Sequence, residues 1–189
     1  MIFPVVAYGD PILKLKAHEI TSNEFNDLGS LIDDLWETMY NANGVGIAAP
    51  QIGISKTIFV VDFSFFKDEE NFNEHELINM QQVFINPEII KETGDDFVYP
   101  EGCLSIPNIR GEVSRPESVT ITWVDENWKE QKETFKGINA RVIQHEYDHI
   151  EGHLFTEKLK PLKKKLISRK LEAIKKGNVK IHYRMKFPK

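Results

Sequence analysis

The segment Gln144–His149 (QHEYDH) holds the side chains of this chain that are best suited to hydrolytic chemistry. His145 and His149 are four positions apart, so a helix would present both imidazoles on one face, where they could bind one metal ion. Glu146 would lie beside that ion as a carboxylate able to take a proton from bound water. The pattern predicts a metal-dependent hydrolase. An amphipathic surface helix with two histidines on one face is the alternative interpretation.

A third ligand is needed, because catalytic metal sites usually have three protein ligands and one position open to water. His153 is too distant from His145, about 12 Å away along a straight helix. The longer H-E-x-x-H-x-x-G-x-x-H pattern fails, because Phe155 occupies its third histidine position. Glu172 falls on a strongly basic predicted helix, which offers it salt-bridge partners. Cys103 remains as the candidate ligand.

Cys103 is the only cysteine of the sequence and lies in the segment Glu101–Ser105 (EGCLS), between Pro100 and Pro107. The two prolines predict an irregular stretch that could direct a thiolate into a cleft. A thiolate with two imidazoles is a suitable ligand set for a transition metal, and it leaves room for water. An inert buried cysteine is the alternative interpretation.

The segment Gly44–Gln51 (GVGIAAPQ) consists mostly of small residues. Small side chains let another backbone come close, which favours a strand or loop that lines a ligand site. The glycine spacing and the Lys-Ser/Thr pair of a phosphate-binding loop are missing, so the segment is not a P-loop. A simple turn after a helix is the alternative interpretation.

Hydrophobic periodicity predicts three helices. The first begins at Thr21, where Glu24 completes a capping box, and ends before Asn43 and Gly44. The second covers about residues 138–150 and includes the two histidines. The third covers about residues 161–176, and its predicted apolar stripe consists of Leu162, Leu166, Ile167, Leu171 and Ile174.

The remaining segments predict strands around these helices. Extended structure is expected at residues 4–15, and strands are expected at 57–63, 83–90, 118–124, 131–135 and 179–187. The polar, acidic residues 64–82 predict a surface insertion. We therefore expect a single α+β domain over residues 1–189, with mostly antiparallel strands around a central metal-binding helix, an N-terminal helix and a C-terminal helix.

Charge and composition narrow the class of protein. The formal net charge is −5, which argues against a general nucleic-acid or membrane-surface binder and predicts no sequence-specific nucleic-acid partner. A single cysteine allows no internal disulfide, and the sequence shows neither a signal-peptide pattern nor a transmembrane run, so we expect a cytoplasmic protein. Residues 158–189 are strongly basic, which indicates either a solvated helix face or a contact with an anionic partner.

Three blocks of this sequence together resemble one known family. Gly44–Gln51, Glu101–Ser105 and Gln144–His149 stand in the order of the three signature motifs of peptide deformylases. The resemblance extends from the first predicted helix to the basic C-terminal helix, and the joint occurrence is far more specific than any single block. It implies an enzyme that removes the formyl group from the formyl-methionine of N-formylmethionyl nascent peptides and releases formate.

The resemblance implies a metal centre with Cys103, His145 and His149 as ligands. Water activated there would attack the formyl carbon, with Glu146 as general base and then general acid. Ligand softness alone favours Zn²⁺ and also admits Co²⁺ or Ni²⁺. The resemblance implies Fe²⁺ as the physiological ion, one per chain.

The resemblance also implies how the transition state is stabilised. The side-chain amide of Gln51 and the backbone N–H of Leu104 would donate to the oxygen that becomes negative. Arg115 is expected to pair with Glu101 and so to hold the cysteine block in place.

The substrate is expected to pair its backbone with the glycine segment, which suits an enzyme that accepts many different chains. Val142 and the apolar flank of His145 are expected to wall a pocket for the methionine side chain, and Arg110 is expected at the rim. The predicted substrate-binding residues are Gly44, Val45, Gly46, Ile47, Arg110 and Val142.

Two other functions remain open at this point. A zinc peptidase that cuts internal peptide bonds uses the same helix, but it is disfavoured by Cys103 in place of a third histidine or glutamate. A non-catalytic, ribosome-associated binding protein with a structural metal would be indicated by the loss of Glu146 or Gln51, and both are present.

Overall fold

The computed structural model describes residues 1–66 and 80–188 of the chain. In this part the chain forms three α-helices and seven β-strands, connected by loops and short 3-10 turns. The helices are α1 (Leu28–Asn41), α2 (Gly137–Ile150) and α3 (Pro161–Lys175), and the strands are β1 (Val5–Val6), β2 (Gly46–Ala48), β3 (Ile58–Asp62), β4 (Gln81–Cys103), β5 (Ile106–Val124), β6 (Glu130–Lys136) and β7 (Met185–Lys186).

The main sheet is antiparallel and has the order β2-β3-β4-β5-β6. Strand β2 is therefore an edge strand with only one partner in the described residues. A separate two-stranded parallel ladder joins β1 to β7. The predicted α+β class, with mostly antiparallel strands and an N-terminal and a C-terminal helix, is confirmed.

Strands β4 and β5 are much longer than the predicted segments 83–90 and 118–124. They pair from Ile85 opposite Val124 to Cys103 opposite Ile106, with register shifts that mark bulges. Many residues of the middle part of β4 are exposed, so no hydrophobic alternation marked it as a strand. Around Cys103, where an irregular stretch was predicted, β4 ends at a two-residue hairpin turn, with a register shift between Gly102 and Cys103.

The first helix begins later than predicted. Thr21 donates its backbone N–H to the Glu24 carboxylate at 3.0 Å, which is the predicted half of a capping box. This contact caps the N-terminus of a 3-10 turn, Ser22–Asp27. Helix α1 begins after that turn, at Leu28. The helix packs its buried face against β2 and β3.

Helix α2 is the central element of the fold. Its neighbours are β2, β3, β5 and β6, and all but three of its fourteen residues are buried. A helix that is covered on most sides is expected to be apolar. Here the buried set includes Arg141, Gln144, His145, Glu146 and His149, so these polar side chains need partners inside the molecule.

The predicted insertion at residues 64–82 lies mostly outside the described residues. At its start Phe63–Phe66 forms a 3-10 turn. At its end Gln81 and Gln82 belong to β4 and pair with Asp62 and Val61, so the predicted boundary was too late.

The C-terminal helix is less buried than its apolar stripe predicted. Ile167 and Ile174 are buried, whereas Leu162 and Leu166 are 71% and 68% exposed. The strand predicted at 179–187 forms ladder contacts only at Met185–Lys186. None of the helices in residues 1–66 and 80–188 is long and apolar enough to cross a membrane.

Candidate metal centre and active site

Cys103, His145 and His149 come together where the end of β4 meets α2. The Cys103 Sγ atom lies 3.2 Å from His149 Nε2, and the three possible ligand atoms lie within 4.8 Å of one another. The helix places both imidazoles on one face, as the four-residue spacing predicts. One thiolate and two imidazoles fit a divalent transition metal, so the three predicted ligands form a plausible metal site.

Glu101 fixes the orientation of His145. The Glu101 Oε2 atom lies 2.9 Å from His145 Nδ1, which leaves Nε2 to face the cysteine side of the site. Metal-binding histidines commonly donate their other ring N–H to a carboxylate in this way. Burial lowers the pKa of His145, but its hydrogen bonds to Cys103 and Glu101 outweigh burial and raise the pKa well above its ordinary value. Glu101 therefore sets the ring orientation of His145 and places a negative charge beside it.

A buried ionic network holds Glu101 in place. Arg115 Nε and Nη2 donate to the two carboxylate oxygens of Glu101 at 2.7 and 2.9 Å, which confirms the predicted pair. Arg115 Nη1 also donates to Asp148 at 2.7 Å. Arg141 Nη1 donates to Glu101 at 2.8 Å. Both arginines and Glu101 are almost fully buried, so this network connects β4 and β5 to the histidine helix.

Glu146 lies next to His145 on α2, beside the candidate metal ligands. The side chain is buried, and its Oε2 atom has no hydrogen-bond partner among the described residues. Burial raises the pKa of Glu146 to about 7. A carboxyl group with a pKa near neutrality can accept a proton and later return it.

Gly46 on β2 is in direct contact with this carboxylate. A Cβ atom at position 46 would lie 2.7 Å from Glu146 Oε1, closer than real Cβ atoms come to other atoms. A larger residue at position 46 would therefore displace either the strand or the Glu146 side chain.

Gln51 presents a fixed donor to the site. Its Oε1 atom accepts the backbone N–H of Ala48 at 2.8 Å, so the amide nitrogen faces the other way. That nitrogen lies 3.5 Å from Cys103 Sγ and 3.4 Å from Ser105 Oγ. The side chain is buried, which makes this orientation well defined.

Leu104 lies in the hairpin turn between β4 and β5, next to the cysteine. A Cβ atom on Gly44 would lie 2.8 Å from the Leu104 Cδ1 atom, so the turn packs closely against the start of the glycine segment. Leu104, the predicted second oxyanion donor, lines the same cavity as Gln51.

A cavity of about 760 Å³ opens onto these groups. Most of the predicted site residues line it. These lining residues are Gly44, Val45, Gly46, Gln51, Cys103, Leu104, Arg110, Val142, His145 and Glu146. His149 is buried and does not line the cavity. Ile47 does not line the cavity, because its side chain packs in the core with α1, so only its backbone could contact a substrate.

Sequence reasoning missed two features of the site. Arg141 precedes His145 by four residues and therefore shares its helix face, a spacing that could have revealed it. Tyr183 belongs to an alternating apolar pattern at the C-terminus and lines the cavity. No local sequence signal connected that pattern to residues almost eighty positions earlier.

Comparison with known proteins gives consistent results. The family model described as polypeptide deformylase matches residues 2–165. A peptide deformylase of Christiangramia forsetii is 52% identical over 191 residues, covering 100% of this chain and 97% of the relative.

Two solved structures have the same fold. A Plasmodium falciparum peptide deformylase has a TM-score of 0.81 and 35% identity, covering 92% of this chain and 95% of its own. A peptide deformylase of Acinetobacter baumannii with Met-Ala-Ser bound has a TM-score of 0.75 and 37% identity, covering 84% of this chain and 99% of its own. The chain therefore belongs to the polypeptide deformylase family and is an enzyme of that type.

Proposed function

We propose that this enzyme removes the N-formyl group from the N-terminal formyl-methionine of newly synthesised proteins and releases formate. The observation that carries the proposal is one cavity lined by Cys103, His145, Glu146 and Gln51 beside an edge strand. We further propose that residues 1–189 act as one catalytic domain and that the enzyme works in the cytoplasm, where nascent chains are made.

The substrate backbone pairs with the segment Gly44–Ile47. Strand β2 uses one edge to pair with β3 and leaves the other for an extended peptide. Such pairing reads no side chains, so the enzyme accepts many sequences after the methionine. The same pairing brings the formyl group close to Glu146, because Gly46 contacts that carboxylate.

The proposed metal ligands are Cys103, His145 and His149. When bound there, a divalent ion lowers the pKa of water and polarises the formyl oxygen. We propose Fe²⁺ as the physiological ion, one per chain, with Zn²⁺, Ni²⁺ or Co²⁺ able to substitute. The thiolate and imidazole donors support a transition metal rather than Mg²⁺ or Ca²⁺.

Glu146 moves the proton. Its carboxylate takes a proton as the water oxygen attacks the formyl carbon, and it then passes that proton to the leaving amine nitrogen. The buried setting supports this role, because burial raises the pKa of Glu146 to about 7. The products are formate and a free N-terminal amine.

Gln51 and Leu104 stabilise the negative charge that develops on the formyl oxygen. The Gln51 amide nitrogen points toward the cysteine side of the cleft because Ala48 holds its other end. The Leu104 backbone N–H is the second donor. Donors that are already fixed in place cost little reorganisation during the reaction.

The methionine side chain occupies the apolar part of the cavity. Val142 and the flank of His145 form its walls, next to Ile138 on the same helix. Arg110 is at the exposed rim, where its guanidinium donates to the Pro100 carbonyl oxygen at 3.2 Å. The Acinetobacter structure with Met-Ala-Ser bound supports a methionine-first peptide as the product.

The basic C-terminal helix supports a transient contact with the ribosome. Lysines surround the exposed Leu162 and Leu166 on α3, so one surface combines positive charge with apolar area. A phosphate-rich RNA surface attracts such a helix even though the chain as a whole is acidic.

Formate release from formyl-Met-Ala-Ser under anaerobic conditions tests the function. The native protein should release formate, and Glu146→Ala should lose nearly all turnover while still binding metal. Cleavage of internal bonds in unformylated peptides, with no formate released, would instead indicate the zinc peptidase. Metal binding without any hydrolysis would indicate the non-catalytic binding protein.

A further inference from the structure

The residues that follow α3 return across the molecule and form one wall of the cavity. Lys180, Ile181, His182 and Tyr183 line the same space as the proposed metal ligands. The match to the family model ends at residue 165, before this segment begins.

Backbone hydrogen bonds hold this C-terminal segment in position. The carbonyl oxygens of Arg184 and Lys186 accept the N–H groups of Val5 and Ala7, both at 2.9 Å. Asn108, just after the hairpin turn, donates its side-chain amide to the Lys180 carbonyl at 3.0 Å. The segment is thus attached both to the N-terminal strand and to the rim of the cleft.

Tyr183 connects this segment to the Leu104 turn. Its hydroxyl donates to the Leu104 carbonyl oxygen at 2.7 Å, and its half-buried ring packs in the same cluster as Leu104 and Met185. The bond joins two residues that are 79 positions apart in sequence.

Two further hydrogen-bonding contacts of the turn involve Ser105. The backbone N–H of Tyr8 donates to the Ser105 carbonyl at 2.9 Å, and the Gln51 amide lies 3.4 Å from the Ser105 hydroxyl. Tyr183 instead holds the carbonyl of Leu104 itself. The phenol therefore restrains the Leu104–Ser105 peptide directly, and it acts on the Leu104 N–H, which belongs to the preceding peptide, through the two backbone dihedral angles of Leu104.

We propose that Tyr183 is a positioning residue for deformylation, whose hydroxyl holds the Leu104 backbone so that its N–H faces the developing oxyanion. The inference rests on the proposed function. A donor acts on the transition state only when it already points to the position of the charge. Removing the phenol hydroxyl loosens the donor without removing it.

Tyr183→Phe tests this role with formyl-Met-Ala-Ser as substrate. We expect kcat to fall by roughly tenfold, less than the 10²–10³-fold loss that follows removal of a whole oxyanion donor. KM and metal content should stay within twofold of native values, because the hydroxyl contacts neither substrate nor metal. Amide hydrogen exchange at Leu104, followed by NMR in the native protein and the variant, should become faster.

Tyr40→Phe is the matched control. Tyr40 also donates its hydroxyl in a long-range bond, to Asp62 at 2.6 Å, but it does not line the cavity. This variant should lose stability without losing kcat. A similar fall of kcat in both variants would assign the effect to stability and overturn the inference.

The outcomes separate the two proposals. Native protein that releases no formate overturns the proposed function, and this role of Tyr183 with it. Active native protein with an unchanged kcat in Tyr183→Phe, or an unchanged exchange rate at Leu104, overturns the positioning role alone.

Discussion

Glu101 Oε2 lies 2.9 Å from the Nδ1 atom of His145, and both side chains are buried. The same carboxylate accepts three hydrogen bonds from Arg115 and Arg141. One acidic residue thus orients a proposed metal ligand and pairs with two buried guanidinium groups. A buried network of this kind is costly to break, because each remaining charge loses its partner.

Arg115→Ala should therefore weaken both the fold and the metal site. Removing Arg115 leaves the Glu101 and Asp148 carboxylates short of a partner, and we expect a loss of about 3–5 kcal/mol in the free energy of unfolding. Looser orientation of His145 should lower metal affinity by roughly 10–100-fold. Urea unfolding and metal titration with a competing chelator measure the two effects.

Lys16→Ala provides the control for that experiment. Lys16 pairs with Glu151 at 3.0 Å on the surface, where ion pairs contribute little. The free energy of unfolding of Lys16→Ala should differ from that of the native protein by less than about 1 kcal/mol. Equal losses of unfolding free energy in Arg115→Ala and Lys16→Ala would contradict a special role of the buried network.

Gly46→Ala should impair turnover because the new methyl group would overlap Glu146. The added Cβ would lie 2.7 Å from the Oε1 atom, so either β2 or the carboxylate must move. We expect kcat/KM for formate release to fall by at least about tenfold, since small displacements of reacting groups have large effects.

Gly29→Ala is the matched control for the glycine substitution. Gly29 lies in α1, and no atom lies within 4 Å of a Cβ built there. Alanine stabilises helices relative to glycine by up to about 1 kcal/mol, so this variant should keep its activity and gain stability. Unchanged activity in Gly46→Ala would show that the strand can withdraw from Glu146 at no cost.

The sequence predicted which side chains lie close together better than it predicted the strands. Side chains at i and i+4 on a helix share a face for geometric reasons, so His145 and His149 could be paired from spacing alone. The middle of β4 is exposed and bulged, and its pairing with β5 depends on contacts far along the chain. Hydrophobic periodicity reflects local structure and cannot predict such long-range contacts.

The contact of Tyr183 with the site could not be predicted from the sequence. Its partner atom is the backbone carbonyl of Leu104, and a backbone acceptor leaves no trace in residue type. Arg141 could have been predicted as a site residue, because it shares a helix face with His145. Its partner Glu101 lies forty residues away, so the network itself required the structure.

The stability of the fold should depend on Asp62 in acid. Burial raises the pKa of Asp62, but hydrogen bonds from Ser64 and Tyr40 outweigh burial and hold the pKa below its ordinary value. A lowered pKa in the folded state stabilises the protein above the unfolded pKa, near 3.9, and this contribution is lost as pH falls through the folded value.

Asp62→Asn should accordingly lose about 1–2 kcal/mol of unfolding free energy at pH 7, because hydrogen bonds to a charged group disappear. The gap between variant and native protein should narrow below about pH 4, as the native carboxylate is protonated. Urea unfolding of both proteins at pH 7 and at pH 3 measures this difference in unfolding free energy. A gap that stays constant across this range would contradict the assignment.

Cys103→Ala should separate metal binding from folding. The thiol is the only non-histidine member of the proposed ligand set, and its removal leaves two imidazoles, which rarely hold a catalytic metal alone. We expect metal content after dialysis to fall to near zero and formate release to fall with it. The circular dichroism spectrum should stay native, because Cys103 is at a hairpin end with Glu101 and Arg115 still paired behind it. Full metal occupancy in Cys103→Ala would exclude the thiolate as a ligand, whereas Glu146→Ala should retain metal under the same dialysis.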